Sequence, residues 1–115
     1  MTAKSDCIFC KIVAGEIPAK VVHRENGVIA IEDVNPQAPV HLLVLPERHV
    51  ANIAEHTFKG SADEITSLME TAAVLGAKHE GGFRLVVNTG VNGGQTVDHL
   101  HVHVLAGRHM TWPPG

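Results

Sequence analysis

Apolar and polar positions along the chain fall into two rhythms. Lys20 to His23 and Val28 to Asp33 are β-like runs parted by the turn residues Glu25-Asn26-Gly27, which predicts two strands and a tight connection. His41 to Leu45 is a continuous aliphatic run stopped by Pro46, as expected of a buried strand. Phe83 to Asn88 reads as a further strand and Val97 to Leu105 as a last, long one. The helical rhythm is confined to fewer places. Ser61 with Glu64 three residues on is a capping box, and Ile65, Leu68, Met69, Ala72 and Leu75 or Gly76 then recur at helical spacing. The main helix is therefore predicted over Ala62 to His79, ended by Gly81-Gly82. Cys7 to Ala14 reads as a short helix closed by Gly15, and Glu47 to Ile53 as another helical turn. Asn35 to Pro39 and Thr89 to Thr96, the latter with three glycines, are loops. The order is short helix, three strands, helix, two strands. Short connections favour hairpins, so the expected class is α+β: an antiparallel sheet of about five strands with one main helix and a short N-terminal helix.

With 115 residues, the chain is expected to form one domain spanning positions 1–115. No apolar stretch is long enough to span a bilayer, and MTAKSDCIFCKI lacks the apolar run of a signal peptide, so a cytoplasmic protein without membrane contact is expected. Nine Lys and Arg residues against a net charge of −3 argue against a nucleic-acid partner. Nine histidines are the anomaly, because imidazole serves metal ligation and proton or nucleophilic chemistry near neutral pH.

The histidines concentrate in His99-Leu100-His101-Val102-His103-Val104-Leu105. Strand side chains alternate, so three imidazoles share one face and Leu100, Val102 and Val104 the other. Same-face neighbours lie about 6.6 Å apart, close enough to converge on one ligand. Two chemistries fit: metal ligation, or covalent catalysis by a neutral imidazole. The preceding segment, Asn88-Thr89-Gly90-Val91-Asn92-Gly93-Gly94-Gln95-Thr96, offers unhindered backbone N–H groups with amide and hydroxyl donors, which suit phosphate oxygens. Lying between strands, it is neither a P-loop nor a dinucleotide fingerprint. Cys7 and Cys10 are the only cysteines; three apart on a helix, they can turn both thiolates to one metal or pack as two buried thiols.

These residues together resemble the histidine triad family of nucleotide hydrolases and transferases. The triad His99 to Leu105 carries the likeness. Cys7 to Ile12, Glu16 to Ala19, Asp33 with Pro36 to Pro39, His41 with Pro46 and His49, Val86 to Asn88, Gly93 to Thr96 and Trp112-Pro113-Pro114 extend it over nearly the whole chain. The tail is similar to that of the nucleoside phosphoramidate hydrolase branch. The resemblance implies that His101 attacks the α-phosphorus, forming a nucleotidyl-histidine that water cleaves to a nucleoside monophosphate. It implies that His103 holds phosphate oxygens and His41 lines the leaving-group side. Asp33 would bind the ribose, and Ile31 and Val34 the purine base. Asn88, Gly94, Gln95 and Thr96 would bind the phosphate, with Thr96 or its neighbours assisting the leaving amine. No catalytic metal is expected. One structural zinc per chain is implied on Cys7, Cys10, His49 and His99. A homodimer is also implied, with the Trp112 tail near the partner subunit. Dinucleoside polyphosphate hydrolysis, or nucleotide binding with incidental turnover, are the alternatives. Asp98, Glu32 and Ile31 depart from the family pattern, which bears on base and leaving-group preference.

Overall fold

The computed structural model describes residues 4–115. Strands β1 (Val21–Glu25), β2 (Val28–Glu32), β3 (Val40–Pro46), β4 (Phe83–Val86) and β5 (Val102–Ala106) form one antiparallel sheet in the order β1-β2-β3-β5-β4. The first hairpin is tight because Asn26 and Gly27 both take positive φ, 54° and 76°, which matches the turn to the strand twist. Helix α1 (Ile8–Val13) precedes the sheet; α2 (Ile53–Lys59) and α3 (Ala62–Ala77) connect β3 to β4. No helix is long and apolar enough to cross a membrane among the described residues.

Helix α3 buries Leu68, Ala72, Leu75 and Gly76 against one face of the sheet, where Val28, Ala30, Leu42, Val44, Leu100, Val102 and Val104 meet it. The opposite face carries a second core of Ile29, Ile31, Leu43 and Leu45, packed by Cys7, Phe9 and Cys10 of the α1 region. Two layers thus cover the sheet, and β3 alternates between them. Close approach of β4 to α3 requires Gly76, since a Cβ there would run into the Phe83 ring.

Four sequence expectations are corrected. Residues from Glu47 do not open a helical turn; α2 starts at Ile53, because Asn52 Oδ1 accepts the Glu55 N–H at 2.7 Å and caps it there. Ser61 caps α3 as expected, its Oγ accepting the Glu64 N–H at 3.1 Å, but the Glu64 carboxylate turns to Arg48 at 3.0 and 2.6 Å instead of back to the cap. The last strand begins at Val102, not Val97: its ladder with β3 stops at the Val44–Val102 pair although β3 runs on to Pro46, and the Leu100 N–H turns to Val50 O instead. The glycine-rich segment is not an open loop: Gly90–Gly93 forms one helical turn, closed by Gly94 at φ 82°.

Candidate active site and metal centre

Burial alternates beyond the hydrogen-bonded part of β5. Leu100, Val102 and Val104 enter the α3 core, while His99 and His101 are buried on the other face and His103 is half-buried. The alternation expected of the triad therefore holds although only His103 sits in the ladder. Leu100 anchors the extended segment, donating its N–H to Val50 O at 2.6 Å. Phe9 packs nearly perpendicular to both rings, at centroid distances of 5.8 Å to His99 and 5.1 Å to His101.

The three imidazoles serve two separate constellations. His99 faces the cysteines: its Nδ1 lies 3.4 Å from Cys7 Sγ and 3.6 Å from Cys10 Sγ, and Cys10 Sγ lies 3.4 Å from His49 Nδ1. The four ligand atoms fall within 4.8 Å of one another. His99 Nε2 donates to the Pro46 carbonyl at 2.8 Å, the carbonyl left over where β3 ends. That bond places the ring proton on Nε2 and turns the Nδ1 lone pair to the sulfurs, as a ligating histidine requires. Burial lowers His99 to about 4 and pushes the Cys10 thiol up, so a neutral imidazole is ready while the thiol needs a cation to ionise. The donor set and its orientation fit a tetrahedral Cys₂His₂ zinc site. The expected ligands Cys7, Cys10, His49 and His99 are all brought together.

His101 and His103 face a different space, a cleft of about 330 Å³. Its apolar walls include Phe9, Ile31, Val34 and Leu43, and Asp33, Thr96, His101 and His103 supply polar groups. His101 Nδ1 donates to the His99 carbonyl at 2.7 Å. The proton is thereby fixed on Nδ1, and Nε2 keeps its lone pair. The His101 and His103 ring centroids are 5.0 Å apart. Burial first, then the neighbouring His101 and His41, bring His103 down to about 4, so it is neutral at pH 7.

Other expected contacts are placed differently. His41 does not line this cleft; it is buried behind His103, with its Nε2 2.9 Å from His103 Nδ1 and 3.4 Å from Asp33 Oδ2. Burial lowers its pKa despite the Asp33 carboxylate. Gln95 spends its whole amide on backbone: Nε2 donates to Ala51 O at 2.7 Å and Val97 O at 3.0 Å, and Oε1 accepts from Gly90 N–H at 3.1 Å. It staples the glycine-rich turn to the segment after β3 and has no polar atom left for a phosphate. The N–H groups of Gly94 and Gln95 are likewise bonded within the turn, to Val91 O and Gly90 O. Asn88 and Gly94 are not among the cleft's lining residues, whereas Thr96 is. Asp98 lines a neighbouring cavity of about 280 Å³ with Cys7 and His49, on the metal side and not the cleft side. Phe9 and the Pro46 carbonyl escaped the sequence reading, because nothing in the pattern tells which side a short helix docks on or which carbonyl a strand end frees.

An antiparallel sheet in an α+β domain thus presents one imidazole with a free Nε2 beside a neutral second imidazole and a carboxylate. The chain belongs to the HIT family: the HIT domain model matches residues 14–110. Among its relatives, an uncharacterized HIT-like protein of Synechococcus elongatus is 48% identical over 113 residues, covering 96% of this chain and 97% of that protein. The 14 kDa zinc-binding protein of Brassica juncea is 44% identical over 116 residues, covering 96% of this chain and all of that one, 100%. The crystal structure of a HIT family hydrolase from Legionella pneumophila matches with TM-score 0.89 and 44% identity, covering 96% of this chain and 100% of that chain. A HIT family hydrolase from Clostridium thermocellum matches with TM-score 0.88 and 39% identity, covering 95% and 96%.

Proposed function

We propose that this protein hydrolyses purine nucleoside 5′-phosphoramidates, of which adenosine 5′-monophosphoramidate is the simplest, through a nucleotidyl-histidine. The observation that carries the reading is the His101 Nδ1–H bond to the His99 carbonyl, 2.7 Å long, which leaves Nε2 as a nucleophile in the cleft. The names of the Legionella and Clostridium relatives support a hydrolase at the coarser level. The base lies between Ile31 and Val34, and the ribose hydroxyls bond Asp33. A bond forms from His101 Nε2 to the α-phosphorus as the P–N bond breaks. The amine leaves with a proton drawn from solvent past the Thr96 hydroxyl. The His99 carbonyl stabilises the positive charge that Nδ1–H acquires. Water then adds to phosphorus, the P–Nε2 bond breaks, and nucleoside monophosphate departs with the free imidazole restored; the water's remaining proton goes to solvent. His103 donates to a phosphoryl oxygen in both halves. His41 acts behind His103 and not on the leaving group.

Zinc on Cys7, Cys10, His49 and His99 is part of this reading, supported by the donor geometry and by the printed name of the Brassica relative. Four protein ligands would make it structural, tying α1 to the segment that presents His101. An arrangement with all three triad imidazoles on one metal is disfavoured, because His99 turns its Nδ1 toward the cysteines and not into the cleft that His101 and His103 line. A homodimer is also proposed. β4 is an edge strand, and Trp112 is 82% exposed on the tail held to it by Arg84 Nη2 donating to Thr111 O. Two free thiols fit a reducing, cytoplasmic setting. The test is turnover of adenosine 5′-monophosphoramidate by native protein and by His101→Asn. Loss of several orders of magnitude in kcat with nucleotide binding retained supports the mechanism; near-native turnover by His101→Asn refutes it.

A further inference from the structure

Asp33, His41 and His103 offer ligand atoms within 4.8 Å of one another, a spacing that looks like a second metal site. One hydrogen bond says otherwise. His41 Nδ1 lies 3.0 Å from the backbone nitrogen of Gln37. A backbone N–H only donates, so Nδ1 is the acceptor and the proton of neutral His41 sits on Nε2. That Nε2–H is directed at His103 Nδ1, 2.9 Å away, with Asp33 Oδ2 at 3.4 Å. His103 Nδ1 is then also an acceptor, and the His103 proton is forced to Nε2. Ligation of a metal through His41 Nε2 would move the His41 proton to Nδ1, head-on against the Gln37 N–H.

We propose that the Gln37 backbone amide is a positioning group that sets the tautomers of His41 and His103 together and so makes His103 an obligatory neutral donor to the substrate. This rests on the reading of His103 as the phosphoryl-oxygen donor. A single fixed N–H thus decides, two imidazoles away, which His103 nitrogen carries the proton. Neither histidine needs a positive charge for this, in keeping with the low proton affinity that burial gives both.

The amide is held from several sides. Arg108 Nε donates to Gln37 O at 2.9 Å, while Arg108 Nη1 donates to His109 O at 3.2 Å. Gln37 Nε2 donates to Asn35 O at 3.0 Å, and Asn35 N–H in turn donates to Asp33 Oδ1 at 2.8 Å. Pro39 lies so close to Gly107 that a Cβ there would come within 2.8 Å of it. Arg108, exposed and not among the cleft's lining residues, is therefore a second positioning residue: it holds the carbonyl of Gln37, the residue whose N–H, one peptide unit earlier, orients His41. The segment leaving β5 and the segment entering β3 are locked to each other through it.

The direct experiment replaces the Pro36–Gln37 amide by an ester, which removes this N–H and keeps every side chain. Nitrogen NMR of the rings, without substrate, reads the tautomers. In the unaltered protein, both His41 and His103 should show an unprotonated Nδ1 and a protonated Nε2. In the ester form His41 should become a tautomer mixture and His103 should follow. Its kcat should fall about 10-fold or more, with KM changed by less than about 2-fold. Arg108→Ala, with circular dichroism confirming the fold, should shift the same ring signals and lower kcat by a few-fold. A protonated Nδ1 on His41 in the unaltered protein overturns the proposal, as does an ester form with unaltered tautomers and kcat. If phosphoramidates are not turned over, the ring signals still decide the tautomer claim separately from the proposed activity.

Discussion

Acid should weaken this fold through His103 in a way that can be isolated. The native environment lowers His103 from 6.5 to about 4, chiefly by burial. The unfolded chain therefore takes up a proton first as pH falls. Stability is full above the unfolded value, drains away below it, and the loss is complete once pH passes the folded value. From about pH 7 to about pH 4.5, the two-state proton balance gives a ceiling of about 2.5 kcal/mol from this ring. Because His103 borders a solvated cleft, screening reduces that to about 1.5 kcal/mol. The perturbation is His103→Asn, which keeps a polar side chain and cannot titrate. Urea unfolding of both proteins at the two pH values yields the difference of differences, in which the common titration of carboxylates cancels. Native protein should lose about 1.5 kcal/mol more than His103→Asn on acidification. An equal loss in the two proteins would show that His103 is not held neutral by its surroundings, and the donor role argued for it would fall with that.

Cys7→Ser should bind substantially less than the one zinc equivalent expected of native protein by elemental analysis, and should melt several degrees lower; zinc-free native protein with a melting point indifferent to Cys7→Ser would remove the site. Gln95→Ala breaks three bonds to Ala51, Val97 and Gly90, so thermal denaturation should show about 1–3 kcal/mol lost; unchanged stability with weakened nucleotide binding would return Gln95 to the phosphate. Gly76→Ala should destabilise despite a helix-propensity gain of about 1 kcal/mol, because its Cβ displaces the Phe83 ring; a raised melting temperature would contradict that packing.

The sheet was legible because its signals are local. Asn26-Gly27 specifies a primed turn, Leu42 to Leu45 is apolar throughout as a doubly covered strand must be, and α3 repeats its buried positions at helical spacing. The triad's two-sidedness was legible for the same reason. The start of β5 was not, since it depends on where the chain leaves its partner strand: the ladder stops at Val44–Val102, Leu100 N–H goes to Val50 O, and His99 takes the Pro46 carbonyl. The α2 boundary was available in Asn52 and Glu55, a capping pair three residues apart, obscured by the apolar Val50 and Ile53 around it. The glycines of 90–94 suggested open N–H groups, yet a helical turn and the Gln95 amide occupy several of them. What sequence cannot encode in a pattern is a backbone atom acting at a distance, and the carbonyls of His99 and Pro46 and the N–H of Gln37 are of that kind.

The central claim is covalent: His101 Nε2, left free by the bond from Nδ1 to the His99 carbonyl, becomes nucleotidylated. Rapid mixing with adenosine 5′-monophosphoramidate, a quench within the first turnover, and mass spectrometry of the digested chain test it most directly. An adenylyl adduct on the peptide carrying His101, transient in native protein and missing from His101→Asn, is the expected result. Full turnover with no adduct at any quench time, or an adduct mapped to another residue, would contradict it.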